Sequence, residues 1–118
     1  MTNNLYFKIS RRKEFISINS FIVLDSNKSK KYVGDILGTI NNTDLEIYVY
    51  VSKDFREQGI SKLLFSELFN YLKEPENIDI ETISLKVEPN ELIDRYWLID
   101  YYKKLGFKEI NNKMIYEL

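Results

Sequence analysis

The chain has no cysteine and no histidine. The first absence removes disulfides, thiol nucleophiles and cysteine metal sites. The second removes the commonest general base, the Ser-His-Asp triad and the commonest metal ligand. Any chemistry must therefore rest on carboxylates, Tyr, Lys, Ser, backbone groups or water, and no metal is expected. Charge of one sign is missing too: 17 Lys and Arg against 18 Asp and Glu leave a net charge of −1, which gives no support for a nucleic-acid partner. No apolar run is long enough to span a bilayer and no signal peptide opens the chain, so no membrane partner and a cytoplasmic location are expected. There are no internal repeats, low-complexity segments or linkers, and 118 residues make one domain, 1–118.

What is present centres on Leu45 to Leu72. Leu45 to Val51 is apolar and rich in β-branched and aromatic residues, which predicts a strand. From Gly59 the period changes. Ile60, Leu63, Leu64, Leu68 and Leu72 recur at spacings of three and four, with Lys62, Ser66, Glu67 and Asn70 between them, which predicts an amphipathic helix to about Lys73. Between strand and helix stands Arg56-Glu57-Gln58-Gly59-Ile60-Ser61. A helix start has unpaired backbone N–H groups and a positive dipole end, and suits an anion, above all a phosphate. Gly59 lets backbone approach such a ligand closely, and Arg56 adds a charged fork.

The remaining elements follow from similar signals. Strands are expected at Leu5–Ile9, Phe15–Leu24 and Tyr32–Ile40, joined by short loops that include the polar turns Asp25–Lys30 and Asn41–Asp44. Arg11-Arg12-Lys13 reads as a solvated basic turn. After the helix, Ile83–Val87 is a fifth strand ended by Pro89. Glu91–Leu105 is a second helix closed by Gly106. Phe107–Ile110 and Lys113–Leu118 form a last hairpin around Asn111-Asn112. Four strands in an antiparallel meander, then α-β-α-β-β, predict an α+β fold: a mixed, mostly antiparallel sheet of about seven strands with two main helices. The fourth and fifth strands, joined through a helix, should lie parallel and adjacent.

Arg56-x-x-Gly59-x-Ser61 resembles the pyrophosphate signature Q/R-x-x-G-x-G/A of the GNAT superfamily of acetyl-CoA-dependent N-acyltransferases, with Ser in place of the last Gly or Ala. Tyr102-x-x-x-Gly106-Phe107 resembles the family's Y-x-x-x-G-F. Both stand in the family's order, and the resemblance covers roughly Phe21 to Leu118. It implies a GNAT-like fold with acetyl-CoA as cosubstrate, held between the fourth and fifth strands. By that resemblance Val49, Tyr50 and Val51 offer backbone to the pantetheine arm. Arg56, Glu57, Gln58, Gly59, Ile60, Ser61 and Lys62 surround the pyrophosphate. Tyr102 is the implied general acid, since a phenol can donate to sulfur. Glu46, on the fourth strand but one residue out of step with the family's Glu, is the candidate base.

Direct transfer of an acetyl group to a primary amine suits a chain without Cys or His. The amine acceptor, whether a small molecule or a protein amine, stays open. Two departures stand out. Only Ser10 to Glu14 joins the first two strands, where most members place one or two helices that wall the acceptor pocket. Arg95 stands where the family often has an Asn before the Tyr. A catalytically silent binding module of the same fold is therefore the alternative. An exposed edge strand would also let two copies pair, making a homodimer a further expectation.

Overall fold

The computed structural model describes residues 5–23, 29–56, 58–88 and 94–118. The turn residues 25–28, Glu57 of the anion turn and the expected helix entry with Pro89, Asn90 and Glu91 lie outside them. Seven strands form one sheet: β1 (Leu5–Arg12), β2 (Phe15–Val23), β3 (Lys30–Asn41), β4 (Asp44–Val51), β5 (Thr82–Lys86), β6 (Lys108–Ile110) and β7 (Lys113–Glu117). Helix α1 (Ile60–Leu72) joins β4 to β5, and α2 (Arg95–Leu105) joins β5 to β6. The strand order is β1-β2-β3-β4-β5-β7-β6. Among the described residues only β4 and β5 pair in parallel, and the last hairpin inserts β7 between β5 and β6. The α+β architecture and the parallel fourth and fifth strands are as expected from the sequence.

Alternation sorts each strand onto two faces. Ile16, Ile18, Leu45, Ile47, Ile83, Leu85 and Met114 point into the core with Ile60, Leu64, Phe65 and Leu68 of α1. Full burial of one such side chain is worth roughly 1.5–3 kcal/mol. Helix α1 lies across β2, β3 and β4. Phe65 on α1 meets Tyr102 of α2 and Phe107 edge-on, so both helices share one face of the sheet. On the opposite face of β1 to β4, Tyr6, Phe15, Tyr32, Leu37, Tyr48 and Tyr50 are exposed. Among the described residues no helix covers that face, because β1 passes to β2 through Lys13 and Glu14 alone.

One break in the alternation matters later. The β2–β3 register pairs Ser20 with Gly34 but Phe21 with Tyr32, so Val33 sits in a bulge. Val33 and Ile36, three apart, both reach the core. The sequence also shows Arg11 as a solvated turn residue, and the structure corrects this. β1 runs on to Arg12, and period two places Arg11 on the inner side with Leu5, Phe7 and Ile9. Its guanidinium donates to the Glu76 carbonyl at 2.9 Å and to Asn77 Oδ1 at 2.6 Å, and pairs with Asp79 at 3.2 Å. Among the described residues no helix is long and apolar enough to cross a membrane.

Candidate active site

The sheet splits along its parallel seam. β4 and β5 pair at Asp44–Thr82, Leu45–Ile83 and Glu46–Ser84, and then part. β4 continues beside β3 to Val51, and β5 continues beside β7 to Lys86. From Ile47 to Val51 the β5-facing edge of β4 therefore has no strand partner among the described residues. A sheet normally satisfies both edges of an inner strand, so this gap is a ready place for an extended ligand to add main-chain hydrogen bonds. The closed end is fastened by side chains. The Asp44 carboxylate accepts from Thr82 Oγ1 at 2.7 Å and Ser84 Oγ at 2.6 Å. The Thr43 carbonyl accepts from the N–H groups of Glu81 at 2.8 Å and Thr82 at 3.2 Å. Glu46 reaches past β5 to Lys113 on β7 at 3.6 Å.

At the open end the chain turns into α1. A 3-10 turn over Lys53–Phe55 follows β4, and Gly59 is the helix N-cap at φ +78° and ψ 10°. That left-handed conformation is what Gly59 supplies, because a side chain there would meet open space. Among the described residues no side chain caps α1. The N–H groups of Ile60, Ser61 and Lys62 have no acceptor among the described residues and share the positive end of the helix dipole. Arg56 donates its Nε to the Val51 carbonyl at 3.1 Å, which fixes the side chain, and its two terminal nitrogens have no partner among the described residues. Gln58 reaches back to the Asp54 carbonyl at 3.4 Å. Lys62 is exposed on the first turn, whereas Ile60 is buried and offers only its N–H.

Helix α2 closes over this turn. Asp94 caps it by accepting from the Trp97 N–H at 2.7 Å, and Gly106 ends it. Arg95 ties its start to the last hairpin through Asn112 at 3.3 Å and Glu109 at 3.5 Å. The Tyr101 hydroxyl bonds Ser61 Oγ at 3.0 Å, and its ring stacks on Trp97. Burial pushes the Tyr101 phenol up, and the Ser61 hydrogen bond partly offsets the rise. Tyr102 packs edge-on against Phe65, Tyr101 and Phe107. Burial pushes its phenol up to about 12, with the charges of Tyr101 and Glu88 adding to the rise.

The structure thus gathers Arg56, Gly59, Ile60, Ser61 and Lys62 at one end of the split, with the free edge of Val49–Val51 running up to them. Glu57 falls outside the described residues. Tyr102 lies on the helix side of the sheet, while Glu46 belongs to the opposite face, so these two candidates stand on opposite sides of the β4 ribbon. Sequence reasoning missed two members. Tyr101 stands next to the motif tyrosine, and its partner Ser61 is 40 residues away. Asp44 reads as a hairpin-turn residue, and its carboxylate proves to fasten the seam.

The family profile described as "Acetyltransferase (GNAT) domain" matches residues 17–109. No curated protein matches the chain. Among solved structures, the chain is similar to the ribosomal-protein-S18-alanine N-acetyltransferase of Escherichia coli at 15% identity, covering 91% of this chain and 71% of that one with a TM-score of 0.67. It is similar to the PaiA N-acetyltransferase of Thermoplasma acidophilum in complex with coenzyme A at 20% identity, covering 89% and 62% with a TM-score of 0.64. It is also similar to the spermidine/spermine N-acetyltransferase SpeG of Vibrio cholerae at 16% identity, covering 89% and 68% with a TM-score of 0.66. At such identities these likenesses show the fold alone.

Proposed function

Because the chain belongs to the GNAT acetyltransferase family, we propose that it moves an acetyl group from acetyl-CoA to a primary amine by direct attack in a ternary complex. The observation that carries this reading is the split between β4 and β5, which opens onto an uncapped helix start with Arg56 beside it. The residues present fit the cosubstrate. Backbone N–H groups of Ile60, Ser61 and Lys62 and the Arg56 fork hold a pyrophosphate. The free edge of Val49, Tyr50 and Val51 pairs with an amide-bearing arm, and an N–H near Val49 serves as the oxyanion donor. Acetyl-CoA, when bound, supplies the activated thioester and the thiolate leaving group.

The chain's own groups then have defined tasks. Tyr102 holds its proton firmly at neutral pH and offers it to the departing sulfur. Glu46, on the open face, takes the amine's proton through water, with Lys113 fixing its carboxylate. The acceptor approaches from the uncovered face, and the acid works from the covered one. Neighbours of this fold are named for acting on an alanine of ribosomal protein S18 and on spermidine or spermine. A small-molecule or protein amine acceptor is therefore the class to screen. A second reading, a domain that binds without turning over, draws on the two-residue β1–β2 turn, which leaves the acceptor side unwalled.

The thermal midpoint measured with and without acetyl-CoA tests the proposal. A ligand at 100 times its Kd that binds only the folded state stabilises by about 2.7 kcal/mol. The midpoint should rise in the native chain and stay put in Arg56→Glu. No rise at millimolar ligand would refute the reading. With binding in hand, Tyr102→Phe should lower kcat for amine acetylation by roughly 100-fold or more. Binding without transfer to any amine would favour the silent module.

A further inference from the structure

The uncovered face holds one constellation that the transferase chemistry does not use. In a regular strand, residues three apart point to opposite faces. The bulge at Val33 cancels this for Tyr32 and Asp35 and brings both to the open side, where the Tyr32 hydroxyl donates to Asp35 Oδ2 at 2.5 Å. Bulges are a recurrent device for re-aiming a side chain beside a functional site. Asp35 is the cross-strand partner of Tyr50, and the Tyr32 and Tyr50 rings lie parallel, 7° apart in plane and 6.4 Å between centroids. Phe21 buttresses Tyr32 edge-on at 6.2 Å. Gly34 makes room for this arrangement, since a Cβ there would stand 2.5 Å from the Tyr50 carbonyl oxygen. Tyr50 is 50% exposed, and Asp35 has no ion-pair partner among the described residues.

A carboxylate without a counter-ion beside exposed, electron-rich rings is the chemistry that binds an alkylammonium group. The Tyr32 hydrogen bond fixes the carboxylate, and the ring stack fixes Tyr50. The set stands on β3 and β4 alongside the split, where Tyr50 directly follows Val49, the residue proposed as oxyanion donor. Resting on the acetyltransferase reading, we propose that Asp35, Tyr50 and Tyr32 form an acceptor subsite for a second positive charge. The preferred acceptor is then a diamine, whose far ammonium binds here while its near amine attacks at the split.

The test offers 1,4-diaminobutane and n-butylamine as acceptors and reads the ratio of their kcat/KM values. n-Butylamine sets the baseline of each variant, so damage to acetyl-CoA binding cancels. The diamine should be preferred at least tenfold by the native chain, and less than twofold by Asp35→Asn and Tyr50→Ala. Tyr50→Phe, which keeps the ring, should retain the preference. A preference that survives Asp35→Asn, or none in the native chain, overturns the subsite. Titration of both amines against the tyrosine ring NMR signals gives the same decision without turnover. Shifts at Tyr32 and Tyr50 produced by the diamine, weaker with n-butylamine and abolished in Asp35→Asn, support it; equal or absent shifts overturn it. If acetyl-CoA fails to raise the midpoint while the diamine shifts appear, the transferase reading falls and the cation site stands.

Discussion

At the residue scale, Gly59 and Tyr102 are set apart by different properties, one by its backbone conformation and one by a tightly held proton. Gly59 sits at φ +78° in open space, so Gly59→Ala meets no clash but must enter the left-handed region. That costs an L-residue roughly 1–2 kcal/mol. Chemical denaturation should show a loss of this size, and Gly59→Asn, whose side chain tolerates the conformation, should lose less. Tyr102 makes a pH prediction. Its phenol moves from an ordinary 10.0 up to about 12 in the folded chain. The folded state therefore holds that proton more tightly than the unfolded one. The stabilisation is complete below pH 10 and is lost as pH climbs towards 12. The midpoint of the native chain should fall more steeply over that interval than that of Tyr102→Phe. Absorbance near 295 nm should show the phenol ionising late. Much of this scale was legible. Gly59 ahead of an apolar 3-4 spacing announces a helix start, and α1 begins there. The Tyr101–Ser61 bond was not, since nothing in either neighbourhood signals a contact made only by tertiary packing.

At the scale of elements, Arg11 shows how far a strand can reach. Its guanidinium links β1 to the turn between α1 and β5, and Asn77, fully buried there, relies on it. Asn77 also donates to the Tyr71 carbonyl at 2.8 Å, at the end of α1. Arg11→Ala would leave the buried amide oxygen of Asn77 unpaired, at a cost of about 1–3 kcal/mol. The neighbouring Arg12→Ala, on the exposed side, should change stability by less than about 0.5 kcal/mol. Paired urea melts check the contrast. The sequence shows three basic residues in a row and hence a solvated turn, because the alternation of β1 is visible only once the strand is known to continue past Ile9. The bulge at Val33 was hidden for a related reason. Tyr32-Val33-Gly34-Asp35 reads as ordinary strand with a glycine, and only the pairing with β2 shows the slipped register. The acceptor subsite depends on that slip, so it could not be read from residue types.

At the scale of the molecule, the topology was the most legible part. Hydrophobic runs, turns and two helical periods dictate seven strands and two helices, and a helix between β4 and β5 dictates their parallel pairing. The split was foreseen through the family resemblance, and the seam's length was not. Three residue pairs carry it. Hydrogen exchange should show this unevenness. Within Ile47–Val51, amides bonded to β3 should exchange slowly, and those facing the split should exchange fast until acetyl-CoA is added. Uniform protection along β4 without ligand would contradict the open edge.

That short seam also has a mechanical meaning. β1 to β4 form one leaf and β5, β7 and β6 the other, with the N-terminal strand on the first and the C-terminal strand on the second. Tension applied through the two ends runs across the three-pair junction, where Asp44 and the Glu46–Lys113 pair are the rivets. The chain should tear there first, like a page along a fold. A ligand bridging the leaves would raise the rupture force, and a single-molecule pull would then count bound cosubstrate one molecule at a time.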